Sequence, residues 1–129
     1  LGDVYKRQIY VRAGAHTFIN KRTDNDIWKN LFELPLIETS SSLPEEEFLA
    51  LPEFQTLFAP GEQPVVRPVC REVKHILSHR VIYANFYEVI LPEGTASFGK
   101  FQKIKAEELE RYAVSRLVHA FIEKYIDLK

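Results

Sequence analysis

Val81 to Leu91, VIYANFYEVIL, is the stretch that most limits what this chain can become. It is built from β-branched and aromatic residues, carries one charge, Glu88, and contains neither glycine nor proline. That composition suits a strand covered on both faces better than a helix or a surface loop. Successive strand residues point to opposite sides. Ile82, Ala84, Phe86 and Ile90 are therefore expected on one side, and Val81, Tyr83, Tyr87 and Val89 on the other. Directly before this run stands a polar cluster, His75, Ser78, His79 and Arg80, set against apolar Ile76 and Leu77. A polar corner at the edge of a buried strand can present side chains to a ligand, so this corner is the expected functional centre.

The rest of the chain supplies partners for that strand. Ile9–Arg12 and His16–Asn20 are short strand-like runs around Ala13-Gly14-Ala15, the pattern of a β-hairpin. A polar loop, Lys21 to Asp26, follows, and then Ile27–Glu38, too apolar for a surface loop. Pro35 argues against a helix there, which leaves an extended, partly irregular segment. Ser42-Leu43-Pro44-Glu45 resembles a capping box and predicts a helix from about Leu43 to Ala50, restarted at Pro52 and ending near Phe58. Ala59–Pro64 reads as a loop. Val69–Leu77 alternates and should pair with Val81–Leu91 around Ser78-His79, and Pro92-Glu93-Gly94 should end the second strand. Phe98–Ile104 is a further expected strand, and Ala106–Tyr112 a short helix. Val114, Leu117, Val118, Phe121, Ile122 and Tyr125 make one apolar stripe at helical spacing, with Ser115 as its cap. Strands, helix, strands, helix: the class is α+β.

At 129 residues the chain is long enough for one domain with a real core. Its formal net charge of −1 excludes nucleic-acid binding driven by a long-range basic field, so any such contact is local or shared with another domain. One cysteine, Cys70, excludes an internal disulfide and a cysteine-based zinc site. No apolar run is long enough to span a membrane, and a soluble, intracellular protein is expected. The chain has no methionine. Its first eight residues, LGDVYKRQ, fit neither period and resemble translated sequencing-adapter read-through. Residues 1–8 are accordingly expected to be a non-native leader outside the fold, with the domain running over residues 9–129.

Most individual motifs have an ordinary explanation. His75 and His79 have the H-x-x-x-H spacing that holds a metal on a helix, but their flanks read as strand and no third ligand follows, so no metal site is expected. Ser78 and His79 are adjacent, and adjacent strand residues do not meet as nucleophile and base. No catalytic residue is assigned. Glu45-Glu46-Glu47 is a favourable charge set near a helix N-terminus. Lys21, Arg22, Lys29, Lys74, Arg80, Lys100, Lys103 and Lys105 could form a basic edge, with a solvated surface as the ordinary reading of each. Trp28 reads as a packing residue.

Three segments taken together add more. KRTDNDIWKNLFELPLIE (Lys21–Glu38), KHILSHRVIYANFYEV (Lys74–Val89) and LERYAVSRLVHAFIEKY (Leu109–Tyr125) resemble the C-terminal domain of the bacterial A/G-specific adenine DNA glycosylases, the MutY family. The resemblance covers Ile9 to Tyr125. It implies a Nudix-like fold, similar to the 8-oxo-dGTP hydrolase MutT, with a mixed β-sheet and flanking helices. It also implies a role in base-excision repair, in which this domain recognises 8-oxoguanine opposite the adenine to be removed. In that family a His-x-Phe-Ser/Thr-His segment reaches the DNA. By that resemblance Ser78 hydrogen-bonds the oxidised purine, Leu77 takes the wedge position usually held by Phe, and His75, His79 and Arg80 support the loop or contact phosphate and base edges. The implied partners are double-stranded DNA carrying 8-oxoguanine:adenine mispairs and the parent enzyme's N-terminal catalytic domain, in a bacterial cytoplasm.

Two departures limit what the chain could do alone. The Nudix motif with its paired glutamates is missing, since Arg71-Glu72-Val73 continues into Lys74-His75 and leaves Mg²⁺ without its ligands. One cysteine cannot hold the [4Fe-4S] cluster expected in the parent's catalytic part, so no cofactor is expected here. A free-standing Nudix-type nucleotide hydrolase and a non-enzymatic protein-interaction module remain the alternatives.

Overall fold

The computed structural model describes residues 3–23, 30–59, 62, 64–77 and 80–125, with the backbone alone at 70–72, 75, 77 and 125. Seven strands are seen among them: β1 (Val4–Ala13), β2 (His16–Lys21), β3 (Phe32–Glu33), β4 (Leu36–Thr39), β5 (Val65–Leu77), β6 (Arg80–Leu91) and β7 (Gln102–Lys105). Helices α1 (Glu45–Leu49), α2 (Pro52–Gln55) and α3 (Arg116–Tyr125) and a 3-10 helix, Ala106–Arg111, complete the described elements. The sheet order is β3-β2-β1-β6-β5, with β4 also on β1 and β7 also on β2. β1 and β6 run parallel, from Val4 opposite Ile82 to Ala13 opposite Leu91, whereas the other pairs are antiparallel. The result is a mixed sheet in an α+β domain.

β6 lies inside the sheet, as its composition requires, and each face meets its own cover. On one side Ile9, Val11, Phe18, Tyr87, Val89 and Leu91 pack beneath α1, α2 and Phe98. Phe48 of α1 stacks on Tyr87 at 5.1 Å between ring centroids. On the other side Tyr10, Ile19, Ala84, Phe86 and Ile104 meet α3 and the 3-10 helix. Phe121 of α3 lies flat on Phe86, 4.0 Å between centroids and 7° between planes. Each such buried side chain stabilises the fold by about 1.5–3 kcal/mol relative to exposure.

Several expectations hold. The first hairpin turns at Gly14, whose φ of 61° is open to glycine at little cost. Ala13 and His16 pair across it. α3 buries Val118, Phe121 and Ile122, and Ser115 Oγ accepts a hydrogen bond from the Val118 N–H at 3.3 Å, the N-cap position. Pro52 opens α2. Residues 32–38 are extended, broken into β3 and β4 around Leu34 and Pro35. The remainder of that expected segment, including Trp28 and Lys29, lies outside the described residues.

Others are corrected. Val4–Gln8, expected to stand outside the fold, belong to β1, parallel to Ile82–Phe86, and Tyr5–Gln8 also pair antiparallel with β4. Their alternation is hidden because the inward side chains are polar. Arg7 is only 2% exposed, donates to Thr39 Oγ1 at 2.8 Å and to the Leu43 carbonyl at 3.2 Å, and lies over the Phe48 ring. Lys6 pairs with Glu38 at 3.2 Å. The Ser42–Glu45 capping box does not form. α1 begins at Glu45 behind Pro44, with no side-chain hydrogen bond on its free N–H groups. Proline holds the residue before it in extended backbone, so a helix cannot start at Leu43. The Phe98–Ile104 strand begins only at Gln102, because Gly99 (φ 53°) and the Phe101 N–H to Phe98 carbonyl bond make a turn. The short helix expected over Ala106–Tyr112 is present as the 3-10 helix Ala106–Arg111, one residue shorter.

Candidate functional site

β5 is the edge strand, and with β6 it forms an antiparallel hairpin in which His75 pairs with Ile82, Ile76 with Val81 and Leu77 with Arg80. The pairing skips between Pro68, Cys70 and Val73, a bulge that re-aims the strand. Val69 and Val73 still pack against the α3 side of the core. Beyond Val73 the side of the hairpin that carries Lys74 and Ile76 opens to solvent, while Ile82, paired with His75, stays buried. Lys74 and Arg80 are exposed, Ile76 is 70% exposed, and Val81 and Tyr83 are half-buried. Tyr83 stacks on Tyr5, 5.0 Å between centroids and 15° between planes, which braces the base of this projecting end.

The expected site residues fall on this end of the hairpin as far as they are described. Arg80 is exposed at the first position of β6. His75 and Leu77 hold the last odd positions of β5, described by backbone register only. Ser78 and His79 lie outside the described residues. Lys74 and Arg80 have no acidic partner among the described residues, so two full positive charges stand at one sheet edge within a chain of net charge −1.

The larger basic edge does not assemble. Lys103 and Lys105 lie on β7, and Lys21 on β2, across the sheet from β5. Several of these cations are also engaged in the fold. Arg22 pairs with Glu33 at 2.9 Å, Lys21 lies over the Phe32 ring, and Lys103 donates to the Thr95 carbonyl at 2.7 Å. A polar recess lined by Lys105, Glu107, Glu108 and Arg111 has two charges of each sign and favours neither anion nor cation. Among the described residues no group of three or more His, Cys, Asp or Glu side chains could hold a metal ion. Arg71–Val73 are strand, without the neighbouring glutamates a Nudix hydrolase uses for Mg²⁺.

Two features were not legible beforehand. Ile90, expected inside, is 39% exposed, while Glu88 on the same side is 7% exposed. Arg67 Nη2 donates to Glu88 Oε1 at 2.6 Å and Arg12 Nη1 to Oε2 at 3.4 Å, and these partners allow a carboxylate to be buried. Ile76, expected as apolar backing for the polar cluster, is instead 70% exposed. The alternation Val69, Val73, Leu77 carried the opposite signal, because it places Ile76 on the same side as Lys74.

Comparison with known proteins agrees with this architecture. No curated protein sequence matches the chain. Among solved structures it is similar to the C-terminal domain of mouse MUTYH, determined in complex with human PCNA. The two are 17% identical and superpose with a TM-score of 0.69 over 94% of this chain and 86% of that one. At this identity the likeness establishes a shared fold. In sequence, residues 8–124 match the NUDIX domain family. With nearly its whole length inside that match, the chain belongs to the NUDIX domain family.

Proposed function

We propose that this chain is the lesion-recognition domain of an adenine DNA glycosylase, reading 8-oxoguanine opposite adenine through the β5–β6 hairpin end. The observation that carries the reading is the projecting edge itself, where exposed Lys74, Ile76 and Arg80 adjoin the His75–His79 motif. The Nudix domain and the fold shared with the MUTYH C-terminal domain support it. In this reading the bond-breaking step belongs to a separate catalytic domain with its own [4Fe-4S] cluster. This chain, with one cysteine, would contribute no cluster ligand set.

The chemistry falls to Ser78. Oxidation at C8 turns guanine N7 from an acceptor into an N–H donor and adds a carbonyl beside it. A hydroxyl can accept from the new N7 N–H and donate to the new carbonyl, whereas to plain guanine it can only donate, to N7, and so makes one hydrogen bond fewer. One such hydrogen bond, and the avoidance of an unpaired buried group, is worth about 1–3 kcal/mol. Leu77, His75, His79 and Arg80 would supply wedge, loop support and phosphate contact. Competition binding at low, fixed salt, with duplexes carrying 8-oxoguanine or guanine opposite adenine, tests this. The oxidised duplex should win, and Ser78→Ala should erase the preference. An equal preference in Ser78→Ala would remove the serine from the reading.

A second reading has one observation in its favour: the similar MUTYH domain was determined bound to a protein, PCNA. A protein-docking role for this chain would leave duplex discrimination unaffected by any hairpin substitution. The third reading, nucleotide hydrolysis, would require turnover of 8-oxo-dGTP with Mg²⁺ by the purified chain.

A further inference from the structure

The sheet has a second uncovered area, at the end of β6 remote from Arg80. Phe86, stacked under Phe121 of α3, is followed on the same side by Glu88 and Ile90. Across the β5–β6 ladder Val65 pairs with Ile90 and Arg67 with Glu88, and Ile90 also lies beside Arg12 of β1. Val65 is 59% exposed, Ile90 is partly exposed, and the Arg67 and Arg12 side chains both reach solvent. The charges here do not balance. Arg67 and Arg12 share one carboxylate, Glu88, and neither pairs with another among the described residues, which leaves a surplus of one positive charge. The backbone is open as well. β5 is an edge strand, and Val65–Arg67 keep regular register with β6 before the bulge, with no described strand beside their outward N–H and C=O groups.

A strand laid on that edge would bring alternate side chains beside Val65 and Arg67, which point to one face of the sheet. We propose that the start of β5 is a docking site for an extended, acidic segment of a partner protein. Its aliphatic residue would cover Val65 and Ile90, and a carboxylate two positions away would meet Arg67. The surplus charge argues against a second copy of this chain, because like charge would face like charge. Nucleic acid would satisfy the guanidinium groups but set the two aliphatic side chains against a polyanionic backbone. Arg80 and Ile90 are the first and eleventh residues of β6, about 33 Å apart along a strand. The site is thus separate from the proposed DNA contact and does not depend on it.

The test titrates the ¹⁵N-labelled full 129-residue chain with the blocked peptide Ac-ETVTE-amide, which places a carboxylate two positions from valine in either strand direction. Amide shifts should centre on Val65–Arg67 and Glu88–Ile90 and leave the Arg80 end of the hairpin unmoved. Ac-KTVTK-amide and Ac-ETSTE-amide should each bind about fivefold more weakly, and Val65→Ser and Arg67→Gln should weaken Ac-ETVTE-amide by a similar factor. Because Val65 is exposed, Val65→Ser should melt like the parent chain, which keeps binding separate from folding. No shifts at these residues, equal binding of the lysine peptide, or full affinity in Val65→Ser overturns the proposal. So do shifts there that grow with chain concentration alone, the sign of a second copy, or that an undamaged duplex produces in place of the peptide. The lesion-reading proposal is decided separately, by the duplex competition with Ser78→Ala.

Discussion

Tyr10 and Glu88 show how single residues in this sheet carry charge into a buried layer. Tyr10 is neighbour to Glu88 across the parallel β1–β6 pair. Burial pushes its phenol above its ordinary value; Arg12 pulls the other way, and the Glu88 carboxylate adds to the rise. The folded state therefore holds this proton more tightly than the unfolded chain, whose tyrosines titrate near pH 10. The stability linked to it is complete below about pH 10 and is lost as pH climbs through the folded value. Urea unfolding midpoints measured from neutral to alkaline pH should fall less steeply in Tyr10→Phe than in the parent chain. Glu88→Ala should cost about 1–3 kcal/mol by the same unfolding measurement, because it leaves two guanidinium groups side by side without their acceptor. Neither effect was legible in the sequence. A glutamate inside an apolar run announces burial only once Arg67 and Arg12, distant in sequence, are known to reach it.

At the level of elements, what could be read locally was read well. The apolar stripe of α3 and its Ser115 cap depend on neighbours within a turn, and both stand in the structure. Ser115→Ala should lower stability by about 1 kcal/mol, seen as a shift in the denaturant midpoint at constant slope. The Gly14 turn was equally legible, but its second constraint was not. A Cβ there would collide with the Glu93 side chain, which comes from the turn after β6. Gly14→Ala should thus cost more than the roughly 1 kcal/mol of a positive φ alone, and thermal unfolding checks this. The capping box failed for a local reason that propensity ranks conceal, since Pro44 dictates the backbone of Leu43 before any side chain can cap. The start of β1 is hidden in the sequence because Lys6, Arg7 and Gln8 are buried polar residues, which a hydrophobic period cannot register.

For the whole molecule, alternation told which faces of β6 are buried but not which strand lies beside it. The parallel β1–β6 pair at the centre of the sheet joins segments about seventy residues apart, a contact no short-range pattern encodes. The resemblance to the glycosylase domain implied a Nudix-like mixed sheet without naming this pair, and the Nudix family match and the shared fold with the MUTYH domain agree with that fold. The proposed contact end is legible in the sequence as a polar corner before a buried strand. The exposure of Lys74 and Ile76 there could be read only from the register of β5 on β6. In the proposed function this hairpin end is where the domain meets damaged DNA. The most direct measurement is a titration of the ¹⁵N-labelled chain with a duplex carrying 8-oxoguanine opposite adenine, followed by amide chemical shifts. Shifts should concentrate on Lys74–Tyr83 and exceed those from the unoxidised duplex, with α3 and β7 unmoved. Shifts centred on α3 or β7, or identical patterns from both duplexes, would contradict that function.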